Sequence, residues 1–198
     1  SIAAKGSAEK PSVTGKFKIQ DGRFQYTDFP KAIENFKLSS DFSLDHFNLQ
    51  NLSLELGAGN PVIVSALIQN FVAPLLDIKI DTKIDLATLK DLAELPEGTD
   101  ISGKILTNIK IKGQVDPKNI ENAAKTVQVD GQVRLEKITA KTADLKVPVV
   151  IDGNVAFSPQ FLAPKVQVLL GESDISFEGK GQNFLSFVIA NEKAPTPS

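Results

Sequence analysis

The stretch Ile101-Ser-Gly-Lys-Ile-Leu-Thr-Asn-Ile-Lys-Ile-Lys-Gly-Gln-Val115 decides the class of fold, because its side chains alternate in character. One parity carries Ile101, Ile105, Ile109 and Ile111, while most of the other carries serine, lysine, asparagine or glutamine. Successive side chains of a strand point to opposite faces of the sheet. The pattern therefore predicts one long strand, on the order of 50 Å, with an apolar face and a polar face.

The same alternation precedes this stretch and recurs along most of the chain. Over residues 76–86, apolar residues and threonine alternate with Asp77, Lys79, Asp81, Lys83 and Asp85, which predicts a solvated charge ladder with weak ion pairing. Further strands are predicted over residues 15–20, 23–27, 35–44, 49–56, 61–71, 128–136, 146–157, 165–170 and 174–181. We expect a mainly β fold of long antiparallel strands.

Two short helices are predicted between these strands. One covers residues 86–95, where leucine recurs every third position after Asp85 as a possible cap. The other opens at Asp116 and Pro117 and would run through Ala124, since proline is favoured at the first helical position.

Two parts of the chain resemble each other. Leu56-Gly57 and a later Gln-Asn-Phe triplet at residues 69–71 match Leu170-Gly171 and the triplet at residues 182–184. Upstream, Gly15-Lys-Phe-Lys-Ile19 matches Gly131-Gln-Val-Arg-Leu135. These matches predict an internal duplication, with units at about 14–73 and 130–190 and a central segment at about 75–125. A β domain over 13–191 would then be flanked by linkers at 1–12 and 192–198.

Composition excludes several kinds of site. Of 198 residues, 22 are basic and 24 acidic, and the charges alternate instead of clustering, so nucleic acid is not an expected partner. The chain has no cysteine and one histidine, His46, which rules out disulfides and two-histidine metal sites within it. We expect no metal and no cofactor, and His46 is predicted to lie on the surface.

Nothing in the sequence indicates an enzyme. Carboxylates are plentiful, but an envelope enzyme would need a pocket of converging carboxylates that no motif marks. The pairs Gly57-Ala-Gly59 and Gly179-Lys-Gly181 are too short for phosphate-binding loops. No apolar run is long enough to span a bilayer, so any anchor or export signal is expected outside this segment.

The apolar faces of the predicted strands leave two possibilities. Two sheets could cover each other, as in a sandwich, or part of the apolar face could form a binding groove. From the residues alone, mutual covering is favoured, because most β proteins hide such faces in a core. A structural or adhesive β-sandwich module without a ligand is the corresponding alternative for function.

Two sets of residues resemble the AsmA-like family of bacterial envelope proteins. The first is Gly15-Lys-Phe-Lys-Ile-Gln-Asp-Gly-Arg-Phe-Gln-Tyr-Thr-Asp28 with the later Leu-Gly and Gln-Asn-Phe steps. The second is the C-terminal pattern, in which Ile151-Asp-Gly-Asn-Val-Ala-Phe157 precedes Leu170-Gly-Glu-Ser-Asp-Ile-Ser-Phe-Glu-Gly179 and Asn183-Phe184. The resemblance covers nearly the whole chain.

The resemblance implies curved sheets that form a groove with an apolar floor. It also implies a periplasmic protein whose parent is anchored in the inner membrane by a tether outside this segment. Such a protein would support phospholipid transport between the two membranes or outer-membrane biogenesis. The residues that we expect to line the groove are Ile78, Ile80, Ile105, Ile109, Val149 and Ile151.

Overall fold

The computed structural model describes residues 1–7, 9, 11–25, 33–56, 59–89, 95–119, 123–144 and 147–182. Its first six strands are β1 (Ile2–Gly6), β2 (Pro11–Phe24), β3 (Ile33–Ser43), β4 (His46–Glu55), β5 (Pro61–Gln69) and β6 (Leu75–Asp85). Helix α1 (Leu86–Leu89), strand β7 (Asp100–Gln114) and helix α2 (Ala123–Thr126) follow. The last strands are β8 (Val127–Lys141), β9 (Val149–Phe157), β10 (Phe161–Leu170), β11 (Ser173–Glu178) and β12 (Gly181–Gln182).

All twelve strands belong to one open, curved, antiparallel sheet. Strands β1 to β11 pair in chain order, and β12 pairs with β10. This confirms the predicted mainly β fold of long antiparallel strands with short helices. The mutual covering of two sheets that we favoured is wrong for the described residues. Because each strand turns back onto its predecessor, no strand leaves this sheet to start a second layer.

The two most strongly alternating stretches form neighbouring strands in the centre of the sheet. Strands β6 and β7 pair over eleven consecutive residue pairs, including Ile80 with Ile109 and Ile84 with Ile105. Residues that lie opposite each other in an antiparallel pair place their side chains on the same face. The isoleucines of both strands therefore share one face, as their parity in the sequence predicts.

The ends of the predicted domain differ from the expectation. Residues 1–12 were predicted as a linker, but Ile2–Gly6 forms β1 and Pro11 begins β2. The reason is visible in the register, since Ile2 and Ala4 lie opposite Gly15 and Val13 and extend the apolar parity of β2 by one strand. The predicted linker at 192–198 lies outside the described residues.

Both helices are shorter than predicted. Helix α1 begins after Asp85, whose carboxylate accepts a hydrogen bond from the Ala87 amide at 3.1 Å, as expected of a cap. Leu95 is not helical, and residues 90–94 lie outside the description. Asp116 accepts a hydrogen bond from the Lys118 amide at 2.9 Å, but the chain there forms a turn, and α2 begins only at Ala123.

The two predicted units present strands in the same order. Strands β2 to β5 fall in the first unit and β8 to β11 in the second, and each unit has a bulge in its first strand pair. The left-handed residue at that bulge is Asp21 (φ 56°) in one unit and Lys137 (φ 46°) in the other. Asp21 and Lys137 lie six residues after Gly15 and Gly131, the glycines that the sequence comparison aligns. These correspondences support the duplication, which stays a prediction.

The sheet has almost no conventional core. Among the described residues, only Ile33 and Leu86 are buried apolar side chains, each 9% exposed. Most apolar side chains of the inner strands are half-buried, because neighbouring strands shield them while no second layer does. Cross-strand side-chain pairs and the backbone ladder therefore carry most of the stability.

Glycines on the apolar face allow neighbouring backbones to approach closely. Gly131 has φ +132°, and a Cβ built on it would overlap the carbonyl oxygen of Asn108 in β7. Gly103 has φ +103°, and its Cβ would overlap the carbonyl oxygen of Lys137 in β8. Such positions permit a sheet to bend where a larger residue would hold the strands apart.

We expect Gly131→Val to lower the free energy of unfolding by at least about 2 kcal/mol, because valine there combines a positive φ with a backbone clash. Urea unfolding followed by circular dichroism would measure this loss. Gly181→Ala is the control, since nothing lies near a Cβ at that position, and it should change stability by less than about 0.5 kcal/mol. Equal stability of both variants would contradict the role given to Gly131.

Candidate functional site

The candidate site is the apolar face of the sheet, which the register defines residue by residue. One row of opposed residues crosses nine strands, from β2 to β10. Its members are Ile19, Leu38, Leu52, Val64, Ile80, Ile109, Gly131, Phe157 and Leu162. Strands lie about 4.8 Å apart, so this row spans on the order of 40 Å.

Further rows run parallel to this one. Ile84, Ile105, Leu135, Gly153, Val166 and Phe177 cross β6 to β11. On the other side of the central row, Phe42, Phe47, Ile68 and Leu76 cross β3 to β6. The face is therefore apolar in both directions, along the strands and across them.

All six residues predicted to line the groove lie on this face. Ile78, Ile80, Ile105 and Ile109 lie together on the adjacent strands β6 and β7. Val149 and Ile151 lie on β9, separated from β7 by one strand, and Ile151 opposes Ile138 of β8. The structure thus places four of the six on two adjacent strands, where Ile80 opposes Ile109 directly, and the other two on the same surface.

Sequence reasoning missed part of this face. Leu49 and Leu52 both belong to it although their positions differ by three, an odd interval, because a bulge in β4 restores the parity. The same holds for Leu135 and Ile138 in β8. An interval of three between apolar residues inside an alternating stretch was the available signal, since a bulge inserts one extra residue.

The opposite face is polar and carries the predicted charge ladder. Lys112 pairs with Asp77 at 2.9 Å, and the Asn108 amide donates to Asp81 at 2.9 Å. Both the Lys112 and Asp77 side chains are more than a third exposed, so the pair contributes little to stability. This face resembles an ordinary solvated surface.

His46 belongs to a polar cluster on the polar face, at the turn between β3 and β4. Its ring lies 3.3 Å from Asp41 and 2.7 Å from the Ser43 hydroxyl. Asp41 also accepts a hydrogen bond from Gln50 at 2.8 Å. The Ser43 hydroxyl, and after it the His46 ring, bonds the Asp45 carboxylate and lowers the pKa of Asp45.

The two ends of the sheet differ. At the end that holds the β4–β5 and β6–β7 connections, called the Leu86 end here, helix α1 lies against β7 and Leu86 is buried. Asn60 is fully buried there and joins the two connections, because it donates to the Leu56 carbonyl at 2.6 Å and accepts from the Asp85 amide at 2.6 Å. The opposite end, called the Phe71 end, holds the β3–β4, β5–β6 and β7–β8 connections.

The part of the chain that the structure describes contains no group of three or more histidine, aspartate or glutamate residues placed to hold a metal ion. None of its helices has the length and apolar character needed to cross a bilayer.

Comparison with models of protein families, with curated proteins and with solved structures finds no match to this chain. The resemblance to the AsmA-like family therefore stays an interpretation of the motifs.

We expect Ser43→Ala to raise the pKa of Asp45 towards its ordinary value, because the Ser43 hydroxyl is the largest cause of its lowering. A lowered pKa in the folded chain favours the folded state at neutral pH, and this contribution is lost as the pH falls through the folded-state pKa. NMR titration of the Asp45 carboxyl carbon would measure the change. Ser39→Ala, which removes a bond to Gln50 instead, is the control and should leave that titration unchanged.

Proposed function

We propose that this chain is an envelope lipid-handling module whose apolar face receives acyl chains. The observation that carries the proposal is the continuous apolar row across nine strands without a covering layer among the described residues. A single sheet with one apolar face needs something to exclude water from that face. Acyl chains would do so.

The geometry suits a long, flexible, apolar ligand. The isoleucines of β6 and β7 lie two or four residues apart on this face, with Thr82 opposite Thr107 between them, so the face is mainly apolar along the strands as well as across them. Contact with acyl chains gains roughly 25 cal/mol for each Å² of apolar surface removed from water. Binding of this kind is passive and needs neither a nucleotide nor a metal.

The cellular location and the ligand in this proposal are taken from the resemblance to the AsmA-like family. In that setting the parent protein is anchored in the inner membrane, and this segment lies in the periplasm. The ligand is then phospholipid that moves between the inner and outer membranes. The apolar face contains no charged side chain in its central row, so it offers no feature that would select one head group.

We expect phospholipid to remain bound when the chain is purified from a bacterial envelope, and native mass spectrometry with lipid extraction would detect it. The double variant Ile105→Asp and Ile109→Asp should lose at least about ninety percent of this lipid, because it places two carboxylates against acyl chains. Circular dichroism would verify that the variant still folds.

The matched control places two aspartates on the polar face instead. Leu106 in β7 opposes Lys83 and Arg134, and Val150 in β9 opposes Thr139. Leu106→Asp with Val150→Asp should keep its lipid. A wild-type chain without bound lipid, even after incubation with phospholipid, would contradict the proposal and favour a structural module without a ligand.

A further inference from the structure

Four large apolar side chains are exposed at the Phe71 end of the sheet. Leu44 in the β3–β4 turn is 55% exposed, and Phe71 and Val72 in the β5–β6 turn are 46% and 84% exposed. Leu75, where β6 begins, is 48% exposed. We call these four residues the apolar rim. Transfer of these apolar side chains out of water is favourable. Their exposure at the tips of turns is typical of a surface that contacts another apolar phase.

Hydrogen bonds hold the rim in place. Asn70 has a left-handed backbone (φ 58°), and its side-chain oxygen accepts hydrogen bonds from the Val72 amide at 3.3 Å and the Ala73 amide at 3.4 Å. The Asn70 amide donates to the Asp45 carbonyl at 2.7 Å, which joins the two turns of the rim. The Val115 amide donates to the Pro74 carbonyl at 2.8 Å. The rim is thus ordered before it meets a partner.

The rim itself carries no charge. Residues 69–76 contain no aspartate, glutamate, lysine or arginine. Exposed charges near this end have both signs, with Asp45 and Asp116 against Lys118 and Lys125. A contact at the rim would therefore depend on apolar burial, and attraction to a charged surface would add little.

The rim continues into the apolar face. Ile68 and Leu76, which flank the β5–β6 turn, oppose each other on that face. The Leu86 end lacks this continuity, because helix α1 and the buried Leu86 occupy it. An apolar phase that meets the rim would border directly on the surface that we assign to acyl chains.

We propose that the rim inserts into the interface of a lipid bilayer, so that the apolar face opens towards the acyl chains of that membrane. This inference rests on the proposed function, because it names the place where lipid enters or leaves. A bilayer fits better than a protein surface, since the rim projects from turns, lacks charges and borders the apolar face.

A single tryptophan tests the insertion, because the chain has no tryptophan of its own. We expect the fluorescence of Val72→Trp to shift to shorter wavelength when vesicles of phosphatidylcholine are added, and brominated phosphatidylcholine to quench it. Ile63→Trp is the matched control, since Ile63 is 45% exposed but lies on the polar face towards the other end of β5. Its emission should not change. A shift of equal size at both positions would overturn the proposal.

Vesicle flotation provides a second test with a different readout. Phe71→Ser with Val72→Ser should lower the bound fraction at least about tenfold, because it removes two apolar side chains from the membrane contact. Ile63→Ser with Leu169→Ser, two exposed apolar residues on the polar face, should bind as the wild type does. Binding that requires phosphatidylglycerol and disappears at high salt would mean an electrostatic contact and would contradict the proposal, as would a wild-type chain that binds no vesicles.

The apolar-face variant separates this inference from the proposed function. Ile105→Asp with Ile109→Asp should still bind vesicles through an intact rim while it loses bound lipid. If the wild type carries no lipid ligand but binds vesicles through Phe71 and Val72, the rim stands and the lipid-handling proposal fails. If it carries lipid but binds vesicles equally well without the rim, the reverse holds.

Discussion

Register is the constraint on which this sheet depends, because a slip of one residue in any strand would turn its apolar side chains to the polar face. Nine strands keep their apolar residues in one row although five of the eight strand pairs in it have an irregular register, namely β2–β3, β3–β4, β4–β5, β7–β8 and β8–β9. The bulges maintain the row, since each inserts one residue where the sequence interval between apolar residues is odd. Asp21 and Lys137 take the left-handed conformation that such an insertion requires.

Local alternation predicted much of this arrangement, and long-range pairing explains what it did not. Strands β6 and β7, with the strictest period of two, were predicted almost to their ends, and the charge ladder of β6 lies on the polar face as expected. Strand β1 was not predicted, because the short five-residue segment Ile2–Gly6 becomes a strand only through pairing with β2. The number of layers could not be inferred from alternation, since a half-exposed apolar face and a covered one have the same period.

The candidate site was likewise predicted in part from local alternation, while the rest depends on long-range pairing. Its six predicted residues share one face because parity alone assigns them to it. Parity does not show that Ile80, Ile109 and Phe157 lie in one row. This follows from the register of the strands, which cannot be read from the sequence. The apolar rim was missed for a different reason, since turn residues such as Phe71 and Val72 have no period, and their exposure follows only from the position of the turns in the sheet.

Thiol reactivity of the ligand-free chain tests most directly whether the apolar face is uncovered. The chain has no cysteine, so Ile109→Cys on the apolar face and Lys110→Cys on the polar face each give a single thiol. An uncovered face predicts that a small maleimide labels both folded variants at rates within about tenfold of each other. Labelling of Ile109→Cys that is slower by several orders of magnitude, and limited by global unfolding, would show a covered core and contradict the account.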